Sequence, residues 1–168
     1  TSVTIEYIVD NYAVTEVQHN NETYQRVEIP ETTLSHAIGT VQLPIRSTML
    51  GIPEGAEVAL TVVDSETEQL LQPLTLPINQ PDSAIADLPA NLMSGDDRLS
   101  HSDLDQFDVA NVRMSSSHQP ATIGEQAKLR DQAVIQLHFH PVAYDPHTKM
   151  ATLYPVSYTH LTLPTNGC

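Results

Sequence analysis

Three histidines offer the first chemistry in this chain. His138 and His140 lie two residues apart, and His147 follows in Tyr144-Asp145-Pro146-His147-Thr148-Lys149. Two imidazoles on one strand face could ligate a divalent metal if a carboxylate such as Asp145 joined them. The third ligand would have to come from a turn, so three solvated surface histidines are the favoured reading. A second candidate is the cluster Asp96, Asp97, Asp103, Asp105 and Asp108. It lacks the D-x-[DN]-x-[DN]-G spacing of a calcium loop, and a solvated acidic loop is the better reading. A third is Arg113, a basic side chain of the kind that can enter a protease pocket, and equally an ordinary surface arginine.

A nucleophile is missing. The single cysteine is Cys168, which leaves no internal disulfide and no Cys-rich zinc site. No Gly-x-Ser-x-Gly elbow, glycine-rich phosphate loop or His-Glu-x-x-His pair occurs. These residues imply no cofactor and no resident metal.

The elements that must position these groups are strands. From Ala133 to His140, Ile135, Leu137 and Phe139 fall on one face, and Gln136, His138 and His140 on the other. A period of two predicts a half-buried antiparallel strand. Pro141 removes a ladder donor and ends it. Asp145 and Pro146 predict a turn, and Met150–Val156 a returning strand, so that a β-hairpin results. Further strands are expected at Val3–Val9, Tyr24–Ile29, Ile45–Leu50 and Glu57–Asp64, with Thr67–Leu71 as a weaker partner. Prolines 73, 77, 81 and 89 favour extended backbone. Asn91–Ser117 reads as an excursion from the core, with a possible short helix at Leu104–Val112. The fold class expected is all-β, an antiparallel β-sandwich or jelly-roll-like domain.

The 168 residues suffice for one domain with a real core. A formal net charge of −14 disfavours nucleic acid and anionic membranes as partners, because both need a basic patch. The same acidity could meet a basic partner surface. Apolar runs fall far short of the roughly 20 residues a spanning helix needs, so membrane insertion is not expected. Val156–Thr165, VSYTHLTLPT, resembles a translated sequencing adapter. The expected organisation is therefore a domain over 1–155, truncated at its C-terminal end, followed by an artefactual tail over 156–168.

Two blocks carry a family resemblance. Ala121-Thr122-Ile123, Leu129-Arg130-Asp131 and Pro141-Val142-Ala143-Tyr144-Asp145-Pro146-His147-Thr148-Lys149 resemble the last part of the N-terminal propeptide of gingipain-type cysteine peptidases. Gly39-Thr40-Val41-Gln42-Leu43-Pro44-Ile45 and Ile52-Pro53-Glu54-Gly55-Ala56-Glu57-Val58 are similar to an earlier strand and turn of that family. Asp145 replaces the family's Asn, and Val41 and Gln42 depart from the usual residues. The resemblance spans roughly Val27 to Pro155, with the middle poorly matched. It implies a non-enzymatic prodomain that packs on a caspase-like cysteine peptidase domain downstream in the same chain. It further implies help with folding, latency until cleavage, and secretion or surface display through the type IX route. In trypsin-like members a basic side chain just before the Ala-Thr-Leu start enters the specificity pocket. The matching positions here are His118, Gln119 and Pro120, none of them Arg or Lys, and Arg113 lies several residues earlier. A re-registered loop, another specificity and plain steric cover all remain open. The alternative function is a non-catalytic adhesion or carbohydrate-binding β-sandwich module. It needs an aromatic platform, and aromatics make up only 5% of the chain.

Overall fold

The computed structural model describes residues 2–19, 21–35, 39–79 and 119–162, and every regular element among them is a β-strand. The strands are β1 Ser2–Ile8, β2 Ala13–His19, β3 Glu22–Glu28, β4 Thr33–Leu34, β5 Pro44–Ile52, β6 Ala59–Ser65 and β7 Glu68–Gln69. After the interval come β8 Ala121–Leu129, β9 Gln132–Phe139, β10 Val142–Asp145, β11 Met150–Leu153 and β12 Val156–Thr162. All pairings are antiparallel.

Two sheets face each other. One has the order β4-β5-β9-β8, the other β1-β12-β6. Alternation turns Leu137 and Phe139 of β9 inward with Ala121 of β8. They meet Leu50 of β5, Ile5 and Tyr7 of β1, and Leu60 and Val62 of β6. Tyr7 stacks on Phe139 with ring centroids 4.8 Å apart. This is the layered arrangement expected of an antiparallel sandwich.

A second core lies beside it. The β10-β11-β7 sheet and the β2–β3 hairpin enclose Val27, Ile29, Leu70, Leu74, Leu76, Val142, Tyr144, Ala151 and Leu153. The Tyr144 hydroxyl donates to the carbonyl of Leu74 at 2.7 Å, which satisfies its polar end inside an apolar setting. The prolines near Leu74 thus belong to an extended segment packed on this core.

The hairpin anticipated between Ala133–His140 and Met150–Val156 forms differently. β9 pairs with β5 and β8, and the hairpin partner of β11 is β10. Pro141 is the cause: with no N–H it cannot continue the ladder, and the chain leaves one sheet to start another. The Asp145 turn forms as expected. Its carboxylate accepts from the His147 N–H and the Thr148 hydroxyl, both at 2.9 Å. Those bonds hold the Asp145 carboxyl below its ordinary pKa. Thr67–Leu71 contributes only the two residues of β7, which pair with β11. The return strand stops at Leu153. Val156–Thr162 is a separate strand between β1 and β6, with Ser157, Thr159 and Leu161 buried.

Candidate functional site

The outer face of the β4-β5-β9-β8 sheet carries His138 and His140. Each ring is held by a hydroxyl from the neighbouring strand. Ser47 of β5 and His138 are hydrogen-bonded through Nδ1 at 2.8 Å, and Thr122 of β8 and His140 through Nε2 at 2.9 Å. The pairing explains this, because Ser47 and Thr122 both lie opposite His138 in the register. The two rings are tilted, with centroids 6.5 Å apart. Burial, and secondarily the charge of His138, push the His140 pKa below its ordinary value. Gly124 belongs to the same device: a Cβ there would come within 2.8 Å of His138 Nε2.

The metal alternative is not assembled. His147 sits in the β10–β11 turn, away from the sheet that carries the other two. Among the described residues no three His, Cys, Asp or Glu side chains group to hold an ion. Arg113, His118 and the cluster from Asp96 to Asp108 lie outside the described residues, as does Leu104–Val112.

Gln119 and Pro120 are described, at the root of β8. Gln119 is exposed and Pro120 buried. The His140 N–H donates to the Pro120 carbonyl at 2.8 Å, fixing the point where the chain re-enters the fold. The departure point is equally fixed. Buried Asn79 donates from its backbone N–H to the Thr40 carbonyl at 2.8 Å and from its side-chain amide to the Ser35 carbonyl at 2.7 Å. Ser35 follows β4, whose Leu34 pairs with Pro44 of β5. Farther across the sheet Arg46 pairs with Phe139, and Phe139 with Ala121. Both Asn79 and Gln119 therefore stand at the same end of this one sheet.

The face itself is unusual for so acidic a chain. Its outward positions are Ile45, Ser47, Met49 and Gly51 in β5, Gln132, Val134, Gln136 and His138 in β9, and Thr122, Ala127 and Leu129 in β8. None is Asp, Glu, Lys or Arg, and Glu125 falls in the bulge that follows Ile123. The other sheet is the opposite. Its outer face sets Glu6 and Asp64 on either side of Tyr158. The hydrogen bond to Glu6 and the charges of Glu6, Glu66 and Asp64 raise the Tyr158 pKa.

The family model described as Propeptide_C25 matches residues 1–163. The chain belongs to the C25 propeptide family. It is thus the propeptide of a gingipain-like cysteine peptidase. Two solved structures share the fold. A complex of Porphyromonas gingivalis RgpB pro- and mature domains aligns with a TM-score of 0.69 at 22% identity, covering 98% of this chain and 80% of that chain. A structure on the zymogenic latency of gingipain K from Porphyromonas gingivalis aligns with a TM-score of 0.71 at 14% identity, covering 97% and 87%. No curated protein sequence matches. The family span runs through β12, so a strand in that slot is part of the family's extent. The sequence blocks that pointed to this family form β8 to β11 and the approach to β5, which include the sheet bearing the histidines.

Proposed function

We propose that this propeptide keeps its cysteine peptidase domain latent and assists its folding, by docking on it in the same polypeptide. The chain supplies no catalytic residue of its own and acts by covering the active site. The observation that carries this reading is the placement of Asn79 and Gln119, the described residues on either side of 80–118. Both stand at one end of the same sheet, where the Asn79 N–H donates to the Thr40 carbonyl and the Pro120 carbonyl accepts from the His140 N–H. Arg113, His118, Gln119 and Pro120 are the proposed blocking residues. Arg113 suits a pocket for basic side chains; a block by His118–Pro120 suits another specificity or steric cover. The secreted or surface location, reached through the type IX route, is part of the same proposal.

The slot between β1 and β6 bears on the chain's last residues. We propose that its native occupant is a different alternating strand, and that Val156–Thr162 fills it because Ser157, Thr159 and Leu161 fall inward. Reading the parent gene across Pro155 tests both proposals. A new strand and then a domain with a catalytic His and Cys pair are expected. An unchanged VSYTHLTLPT would remove the strand proposal, and no such domain downstream would remove the latency proposal.

A further inference from the structure

Two hydrogen bonds from one histidine join the start of β8 to the end of β9. The His140 N–H donates to the Pro120 carbonyl at 2.8 Å, and the His140 ring is hydrogen-bonded to the Thr122 hydroxyl at 2.9 Å. His138 lies beside it, its own ring hydrogen-bonded to Ser47 and its centroid 6.5 Å from that of His140. Two imidazoles placed this close resist a second proton, because like charges repel and burial removes the water that would hydrate them. An anion would relieve the repulsion, and the strands supply none. Opposite the pair β5 places Ser47, β8 places Thr122 and Gly124, and β9 itself carries Gln136. Gln119 and Pro120, which precede β8, are also uncharged. The nearest charged positions in the flanking strands are Glu125 in the β8 bulge and Arg46, which lies opposite Phe139. Among the described residues the ion pairs are Arg46–Glu31 and Lys128–Glu54, and neither ring takes part in one.

Acid must therefore move one strand away from the other, and the fold decides which. β9 is held. It is paired on both sides, Phe139 is buried in the core, and Pro141 fixes the backbone just after His140. β8 is not held so firmly. It is the edge strand of its sheet, and its contribution to the buried core is Ala121, a single methyl group. Little apolar area is lost when so small a side chain leaves. The register shifts between Ile123 and Gln126, and such a bulge is a place where a strand bends. We infer that residues 120–123 form an acid-sensitive latch: in weakly acidic solution the protonated His138–His140 pair drives this stretch off β9, with the bulge at Gly124 as its hinge, and neutral solution closes it again. The lowered His140 pKa, caused by burial first and by His138 second, agrees in direction. The neutral ring belongs to the closed sheet, and the extra proton is taken up by the open one. The inference rests on the latency reading above and adds a regulation to it. Gln119 and Pro120 are among the proposed blocking residues and sit directly before the latch, so inhibition weakens as it opens.

Amide hydrogen exchange of the 168-residue chain, corrected for the intrinsic effect of pH and read by peptide mass spectrometry, tests the latch. Between about pH 7.5 and about pH 5.5, protection over residues 121–123 should fall by about threefold or more, while residues 134–137 of β9 keep theirs. His140→Gln leaves an amide to meet Thr122 but does not titrate, and should abolish the fall. His138→Gln removes the neighbouring charge and should reduce the fall, which gives an independent reading if His140→Gln does not fold. His147→Gln, in the β10–β11 turn, should leave it unchanged. An equal fall in both sheet variants, or a matching fall over 134–137, would overturn the latch and leave the latency reading intact. The consequence for latency is read separately, with the parent protein's peptidase domain as the probe and its own activity normalised at each pH. Inhibition by the native chain should be weaker by about threefold or more at the lower pH, and inhibition by His140→Gln should not change. Inhibition by the native chain that is independent of pH would overturn the regulatory role. No inhibition at neutral pH would instead overturn the latency reading, and the exchange measurement would then decide the latch by itself.

Discussion

His140 links the sheet to the root of β8, since its ring meets Thr122 and its N–H holds Pro120. Its pKa is lowered by burial first and by His138 second. The hydroxyl of Thr122 from β8 and the ring of His138 on its own strand are the groups that face it. As pH falls, the unfolded chain takes up this proton before the folded chain does. Stability from neutral His140 is fully present above the ordinary value of about 6.5 and is lost as pH falls through the folded-state pKa. Urea midpoints measured from about pH 7.5 to pH 5 should therefore fall more steeply for the native chain than for His140→Asn. Parallel slopes would contradict this account. Gly124→Val tests the neighbouring contact. The added branch must displace His138 or β8, at about 1–3 kcal/mol, and an unchanged thermal midpoint would show that the ring is free to move. The alternation of Ala133–His140 made both histidines legible as one face. The hydroxyls that hold them were not, because Ser47 and Thr122 lie far away in sequence and only the register brings them together.

At the scale of elements, β9 is the centre of the sheet. Leu137 is 1% exposed and lies between the two layers. Leu137→Ala should cost about 2–5 kcal/mol through lost burial and an unfilled cavity, read from denaturant unfolding; a loss well under 1 kcal/mol would mean the core collapses around the gap. The strands with strong alternation, β1, β5, β6 and β9, were legible within a few residues. β2 escaped because its side chains are largely exposed and show no apolar face, and β8 because its bulge and polar second half mask the period. The partner of β11 was misread, since no local signal says to which sheet a chain goes after Pro141. β12 has a separate consequence. It fills the middle of its sheet, so ending the chain at Pro155 would bare the facing edges of β1 and β6. Open edges recruit other chains. The shortened chain should associate or precipitate in size-exclusion chromatography, and a monodisperse monomer would show that β12 is dispensable.

The two sheet surfaces of the molecule differ in charge. The outer face of β1-β12-β6 sets Glu6 and Asp64 beside Tyr158, whereas the regular outward positions of β5-β9-β8 are uncharged, with Glu125 in the β8 bulge. That division was invisible in the net charge of −14, which averages over both faces. The family was legible from two sequence blocks, because turns such as Asp145-Pro146 depend on local chemistry that a sequence displays. Which of Arg113, His118, Gln119 and Pro120 would enter a partner's pocket was not legible, since pocket entry depends on a partner surface. The central claim is latency by docking, and the measurement that bears on it most directly is inhibition in trans. The 168-residue chain is titrated against the active peptidase domain of its parent protein with a fluorogenic peptide substrate. The account predicts stoichiometric, reversible inhibition at submicromolar concentrations, on the order of the affinities that interfaces of standard size reach. Full peptidase activity in the presence of a large excess of folded chain would contradict it.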